Sequence, residues 1–356
     1  MYEKDGEKYF IVDSHMHYWD ASPANWVKGA EQYAKGWIEC FHAYQSLGPP
    51  ETHWPIEHFQ KYSEDDLMKD VFEDGYVDVA IFQPTYLKEW YAEGFNTTER
   101  NATLEERHPG KFIVNTRFDP RDGDEGLKTL QANVERYGSK GLKLYTAEWN
   151  NGSRGYKLSD PACYRYLEKA QEFGIKNIHV HKGPTIWPLD KDAFDVSDVD
   201  HAATDFPDLN FIVEHVGLPR IEDFCYMATQ EPNVYAGLSV VTGAEMFARP
   251  RFFSKVMGEL LYWVGEDKMT FGSDYAIWEP KWQVEGLVAW DYPDDSFSDY
   301  PRVTTAAKKK MLGLNAAKLY GIEVPPECQL KDDSGGQPAE QDDAKLVDEG
   351  SPVAGA

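Results

Sequence analysis

The sequence predicts an α/β chain folded as a (β/α)8 TIM-type barrel, with long aromatic βα loops and a disordered acidic C-terminal tail. Three observations predict it. Eight short apolar runs alternate with amphipathic stretches between residues 9 and 321. No Gly-x-Gly-x-x-Gly follows the first run, so an open dinucleotide-binding sheet has no support. Histidines and an aspartate stand at the ends of several runs, where a barrel gathers its functional side chains.

The strand candidates are 9–15, 77–83, 112–118, 141–145, 176–181, 209–215, 233–240 and 268–274. Stretches with apolar residues at helical spacing lie between them, for example 63–74, 160–174 and 251–265, and 304–321 follows the last. Such alternation implies parallel strands joined by crossover helices, and eight units close a barrel. Three connections are long and aromatic. Residues 18–56 carry Trp19, Trp26, Trp37 and Trp54; residues 184–195 carry Trp187; residues 275–302 carry Trp278, Trp282 and Trp290. As βα connections they belong over the catalytic face, as a lid, as packing, or as the interface of a homo-oligomer. Trp19 and Trp278, each within a few residues of a proposed ligand, are the candidates for substrate contact. Residues 1–325 read as one barrel domain. From 326 to 356 the chain is rich in Pro, Gly, Ser and acids and lacks the apolar content that would offset ordering, so a disordered tail is expected.

Net charge narrows the partners. With 36 basic against 61 acidic residues the chain carries −25, so nucleic acid and anionic membranes are excluded as partners and a small-molecule substrate is expected. The four cysteines form no Cys-x-x-Cys and read as free thiols of a cytoplasmic protein. No leader-like apolar segment opens the sequence.

The chemistry-bearing residues begin with Asp13-Ser14-His15-Met16-His17. Side chains two apart on a strand share a face, so His15 and His17 project together and can chelate a cation. On the fifth strand Ile178 and Val180 form the outward set, which turns His179 and His181 inward, His181 nearer the rim. On the sixth, Phe211, Val213 and His215 share a parity, which places His215 inward. On the eighth, Thr270, Gly272 and Asp274 do the same for Asp274. Three imidazoles and a carboxylate make a site for one divalent ion, Zn²⁺ first, with Mn²⁺ or Fe²⁺ also suited. Asn115 and Arg117, Lys143, Lys182 and Arg220 lie near the same rim. On so acidic a chain they either receive a substrate carboxylate or pair with neighbouring acids.

His-x-His on strand one, His on strands five and six and Asp on strand eight resemble the amidohydrolase superfamily. The segments HKG (181–183), EHVGLPR (214–220) and FGSDYA (271–276) resemble its amidohydrolase-related subgroup, which includes aminocarboxymuconate-semialdehyde decarboxylase, resorcylate decarboxylases and lactone or ester hydrolases. The resemblance covers residues 9–322. It implies His15, His17, His181 and Asp274 as metal ligands, and His215 and Asp274 as catalytic. Lys143 falls where other branches carry a carboxylated, metal-bridging lysine, whereas the subgroup's mononuclear site makes it a substrate-facing or structural cation. The implied activity is hydrolysis of an amide, ester or lactone by a metal-activated water, or non-oxidative decarboxylation. The wider sequence also resembles amidohydrolase-family proteins encoded beside bacterial propane and acetone monooxygenases of the binuclear-iron type. That likeness leaves open a functional link to such a system, including an accessory part in its assembly.

Overall fold

The computed structural model describes residues 1–331; the expected tail therefore lies outside the described residues from 332 onward. The chain opens with an antiparallel hairpin, β1 (Tyr2–Lys4) and β2 (Glu7–Tyr9). All eight expected barrel strands follow: β3 (Val12–Met16), β4 (Val79–Phe82), β5 (Phe112–Val114), β6 (Gly141–Leu144), β7 (Asn177–His181), β8 (Asn210–Glu214), β9 (Val234–Gly237) and β10 (Met269–Thr270). They form two parallel arcs, β3-β4-β5 and β6-β7-β8-β9-β10. Backbone hydrogen bonds close both gaps. Thr116 N–H donates to Gly141 and Lys143 N–H to Thr116 (3.2 and 2.8 Å); Ser14 N–H donates to Phe271 and Asp274 N–H to His15 (2.9 Å each). The molecule is a closed barrel.

Outward strand residues such as Ile178, Val180, Phe211 and Val213 are buried and join the main apolar core with helix residues such as Leu167, Ala170 and Val199. The expected helices are present as Glu64–Leu67 running into a π-turn, Pro161–Glu172, Pro250–Trp263 and the pair Thr305–Lys309 and Asn315–Tyr320. Ser63 opens the first of these with a reciprocal capping box to Asp66. The connection 18–56 has a helix of its own, Glu31–Tyr44, which carries Trp37 and Phe41. Beyond 325, Pro326–Cys328 makes a single turn, and Cys328 is fully buried beside Phe10, Val12 and Tyr320. No helix among the described residues is long and apolar enough to cross a membrane.

Candidate metal centre and substrate cavity

β3 ends in a register shift between Asp13 and Met16. His15 and His17 follow from it on one side, their Nε2 atoms 3.2 Å apart. The outer ring nitrogens assign both tautomers: His15 Nδ1 faces a carboxylate, which only accepts, and His17 Nδ1 faces the Gln83 carbonyl, while the Asn96 amide nitrogen 2.9 Å from that ring donates to the same carbonyl at 2.7 Å. His17 Nδ1 donates to the Gln83 carbonyl at 2.8 Å, and His15 Nδ1 stands 2.9 Å from Glu214 Oε2. Both protons are therefore on Nδ1 and both Nε2 lone pairs are bare. Asp274 Oδ1 adds a third acceptor, 3.2 Å from His17 Nε2 and 3.7 Å from His15 Nε2. Among the described residues only Lys143 approaches this cluster as a donor, its Nζ 3.4 Å from His15 Nε2. Three acceptors facing one another are repulsive unless a cation stands among them. Two nitrogens bound at zinc distances in a tetrahedral site are about 3.3 Å apart, so the observed separation fits one ion.

Burial sets the charge states. It pushes the His15 imidazole down to about 3, and lowers His181 and His215 as well, which keeps all three neutral. Burial opposes ionisation of Asp274, yet the imidazoles around it, His17 nearest at 3.2 Å, hold its carboxyl below the usual range. Burial brings Lys143 down to about 8 against the pull of Glu214 and Asp274. Neutral imidazoles with an ionised carboxylate are the states a divalent ion requires.

His215 joins the cluster by a different route from the one its parity predicts. β8 stops at Glu214, and it is Asn210, Ile212 and Glu214 that face the interior, while Phe211 and Val213 face the helices. His215 then takes φ +68 and Val216 φ +47, so two consecutive residues, Glu214 and His215, both reach the site. Asp274 likewise has φ +60. Left-handed backbone at non-glycine positions is costly, and here it occurs after two of the strands that deliver candidate functional groups, at His215 and at Asp274. One donor atom each from His15, His215 and Asp274 lies within 4.8 Å of the others. His181 stands farther out: its Nδ1 is 3.0 Å from His215 Nε2 and its Nε2 is 3.5 Å from the Tyr145 hydroxyl.

Glu214 escapes the sequence reading altogether. It is fully buried and bridges His15 to His179, whose Nδ1 lies 2.5 Å from Oε1; Ser239 Oγ donates to Oε2 at 3.2 Å. A Cβ at Gly237 would collide with Glu214 Oε2, so the facing strand gives up a side chain to make room. His179 Nε2 continues the chain to the Tyr320 hydroxyl at 2.7 Å, which closes the barrel floor. The sequence signal was there: an acid inside an apolar strand is rarely buried without a partner.

A cavity of about 280 Å³ opens above the cluster. Its lining includes His15, His17, Lys143, His181, His215, Asp274 and Trp278. Arg117 and Trp19 do not line it, contrary to the substrate contacts expected for them. Arg117 is tied to Glu148 at 2.9 Å and lies over the Tyr86 ring. Trp19 is buried in an aromatic nest: its Nε1 donates to the Phe59 carbonyl at 2.7 Å and its ring stacks on Phe95. Trp278 lies against Gly48 and Gly243 and donates from Nε1 to the Tyr44 carbonyl at 3.1 Å, tying the first and last long connections together over the site.

The family model "Amidohydrolase" matches residues 12–322. The chain belongs to this family and is an enzyme of the amidohydrolase superfamily. Solved structures agree in fold. An uncharacterised TIM-barrel protein of Bordetella bronchiseptica is 16% identical, with a TM-score of 0.64 over 88% of this chain and 98% of its own. A 5-carboxyvanillate decarboxylase of Novosphingobium aromaticivorans, solved with bound manganese, is 14% identical, with a TM-score of 0.60 over 90% of this chain and 100% of its own. A putative 2-pyrone-4,6-dicarboxylic acid hydrolase of Pseudomonas putida is 14% identical, with a TM-score of 0.55 over 89% and 100%. No curated protein sequence matches the chain.

Proposed function

We propose that the protein is a metal-dependent hydrolase of the amidohydrolase-related subgroup, opening an ester, lactone or amide by attack of water. The observation that carries this is the convergence of the bare Nε2 atoms of His15 and His17 with Asp274 Oδ1. His15, His17 and Asp274 would hold one divalent ion, zinc first, with His181 able to swing in from its place beside Tyr145 as the fourth ligand. Such an ion supplies Lewis acidity toward a carbonyl oxygen and lowers the pKa of a water at the site. The chain supplies the rest. Asp274, ionised, accepts the proton of the attacking water through Oδ2, the oxygen on the His215 side, while Oδ1 faces His15 and His17. His215 takes up that proton at Nε2 and passes it to the departing oxygen, and its ring is held by Ser239, whose carbonyl oxygen is 3.1 Å and hydroxyl 3.0 Å from Nδ1. One water is consumed: an ester breaks its acyl C–O bond and releases an acid and an alcohol, a lactone opens to one hydroxy acid, and an amide breaks C–N and releases an acid and an amine. Trp278 and the helix Glu31–Tyr44 limit bulk water above the cavity, which strengthens every charge interaction within it. A purely structural accessory to a monooxygenase has no need of converging lone pairs, so turnover is the preferred reading.

A second reading, non-oxidative decarboxylation, draws on the solved decarboxylase of the same fold. The two separate on one assay. Metal-loaded enzyme is offered neutral aryl lactones and esters in isotopically labelled water, and hydroxybenzoates in parallel. We expect acid release with solvent oxygen in the product carboxylate. Release of CO2 from the hydroxybenzoates with the lactones left intact would replace hydrolysis by decarboxylation.

A further inference from the structure

The charges around the cavity are distributed so unevenly that they restrict the substrate. Lys143, Asp274 and Glu245 are the charged, non-histidine side chains that line it. Lys143 lies at the floor, 3.4 Å from His15 Nε2, and is engaged with the reacting end. The other basic side chains near this rim are neutralised and lie outside the cavity. Arg117 pairs with Glu148 at 2.9 Å, Lys182 with Asp198 at 2.8 Å and Arg220 with Asp195 at 2.7 Å. The walls are Trp37, Phe41, Phe95, Ile186, Leu218 and Ile277. The polar side chains left over include no cation: the hydroxyls of Tyr44, Thr85 and Tyr145 are neutral, and Glu245 is an acid. Glu245 Oε2 is buried without a hydrogen bond, 3.5 Å from Arg249. Thr85 Oγ1 is buried, unpartnered and neutral.

We infer that the substrate carries one oxygen-bearing reactive group, held at the floor, on an otherwise uncharged and apolar body: a neutral aryl or small-ring ester or lactone, not a dicarboxylate. This rests on the hydrolase reading and narrows it. A second carboxylate in the upper cavity would lose its water, face Glu245 and find no free cation among the described residues, which is the costly case of a buried unpaired charge. An apolar body gains by burial against the aromatic walls. The Thr85 hydroxyl can serve a carbonyl or ring oxygen, which needs only a neutral partner. The cavity is at the small end for ligand sites, which suits one ring with short substituents. The related fold whose name gives a dicarboxylic acid as its substrate would need a second cation that this wall does not offer.

Two matched pairs test the inference on the full-length, metal-loaded enzyme. The first is 3,4-dihydrocoumarin against its 6-carboxylate, compared by kcat/KM. The second is 4-methylbenzoate against terephthalate, compared by quenching of tryptophan fluorescence. Both members of the second pair offer one carboxylate to the floor and differ only at the far end. We expect the neutral lactone to be favoured at least 100-fold and 4-methylbenzoate to bind at least tenfold tighter. In Ile186→Arg, which puts a cation into the wall, both gaps should narrow at least tenfold. Equal or better use of the carboxylated lactone together with equal or tighter terephthalate binding would overturn the inference and leave the hydrolase reading standing. No hydrolysis of either lactone, with 4-methylbenzoate still preferred over terephthalate, would instead remove the hydrolase reading and leave the uncharged-body inference standing.

Discussion

In His215→Asn, turnover is expected to fall by roughly two to four orders of magnitude while the metal content stays at the wild-type level. The ring is buried, and its Nδ1 lies 3.9 Å from Asp274 Oδ2, farther than either Nε2 of His15 or His17 lies from Oδ1. The converging lone pairs therefore do not require it. Its position beside the proposed water and carbonyl suits proton movement. Asn is the substitution of choice because residue 215 has φ +68, a conformation Asn tolerates better than most residues, so the turn that also positions Glu214 is kept. Elemental analysis alongside steady-state kinetics reads the result. Loss of the metal in this variant would make His215 a ligand, as its place with His15 and Asp274 in one tight group allows. Lys143 would then require examination as a carboxylated bridge in a binuclear site.

Trp19→Ala is expected to cost about 3–5 kcal/mol of stability, the range for removing a large buried aromatic, and to lower the melting temperature by roughly 4–7 °C in a chain of this size. Its ring meets Phe41, Phe59, Tyr62 and Phe95 at centroid distances of 5.0 to 6.1 Å, and its one polar atom is satisfied by Phe59. The surviving folded enzyme should keep its kinetic constants. Trp278→Ala is the contrast, since Trp278 lines the cavity, and its KM should rise more than its stability falls. Thermal melts beside kinetics on the two variants decide; a Trp19→Ala enzyme of unchanged melting temperature and altered KM would contradict the placement.

The barrel was legible because its strands are short apolar runs alternating with amphipathic helices, and the histidines and Asp274 fall at or just beyond the ends of those runs. Parity arguments worked while the chain stayed extended, as at His15 and at His179 and His181. They failed at β8, where the true interior set is Asn210, Ile212 and Glu214 and a left-handed turn brings His215 back inward. No local pattern announces a positive φ at histidine or valine. Arg117 and Trp19 were misjudged for another reason. Closeness in sequence to a functional residue says nothing about which acid or which ring folds against a side chain from afar, here Glu148 across 31 positions and Phe59 across 40. The N-terminal hairpin had a signal that passed unread: Asp5-Gly6, both at positive φ, is a two-residue β-turn of the kind that joins short strands. Cys328 marks where composition misleads in the other direction, because one thiol buried against Tyr320 anchors a turn that polar neighbours disguise.

The central claim is that one divalent ion belongs among His15, His17 and Asp274, and elemental analysis of natively purified protein after exhaustive dialysis tests it most directly. The account predicts close to one divalent ion per chain, and nearly none in a folded His15→Ala, His17→Ala double variant. A double variant that retained the full metal content, or a wild-type protein that bound none even after incubation with excess zinc, manganese and ferrous ion, would contradict it.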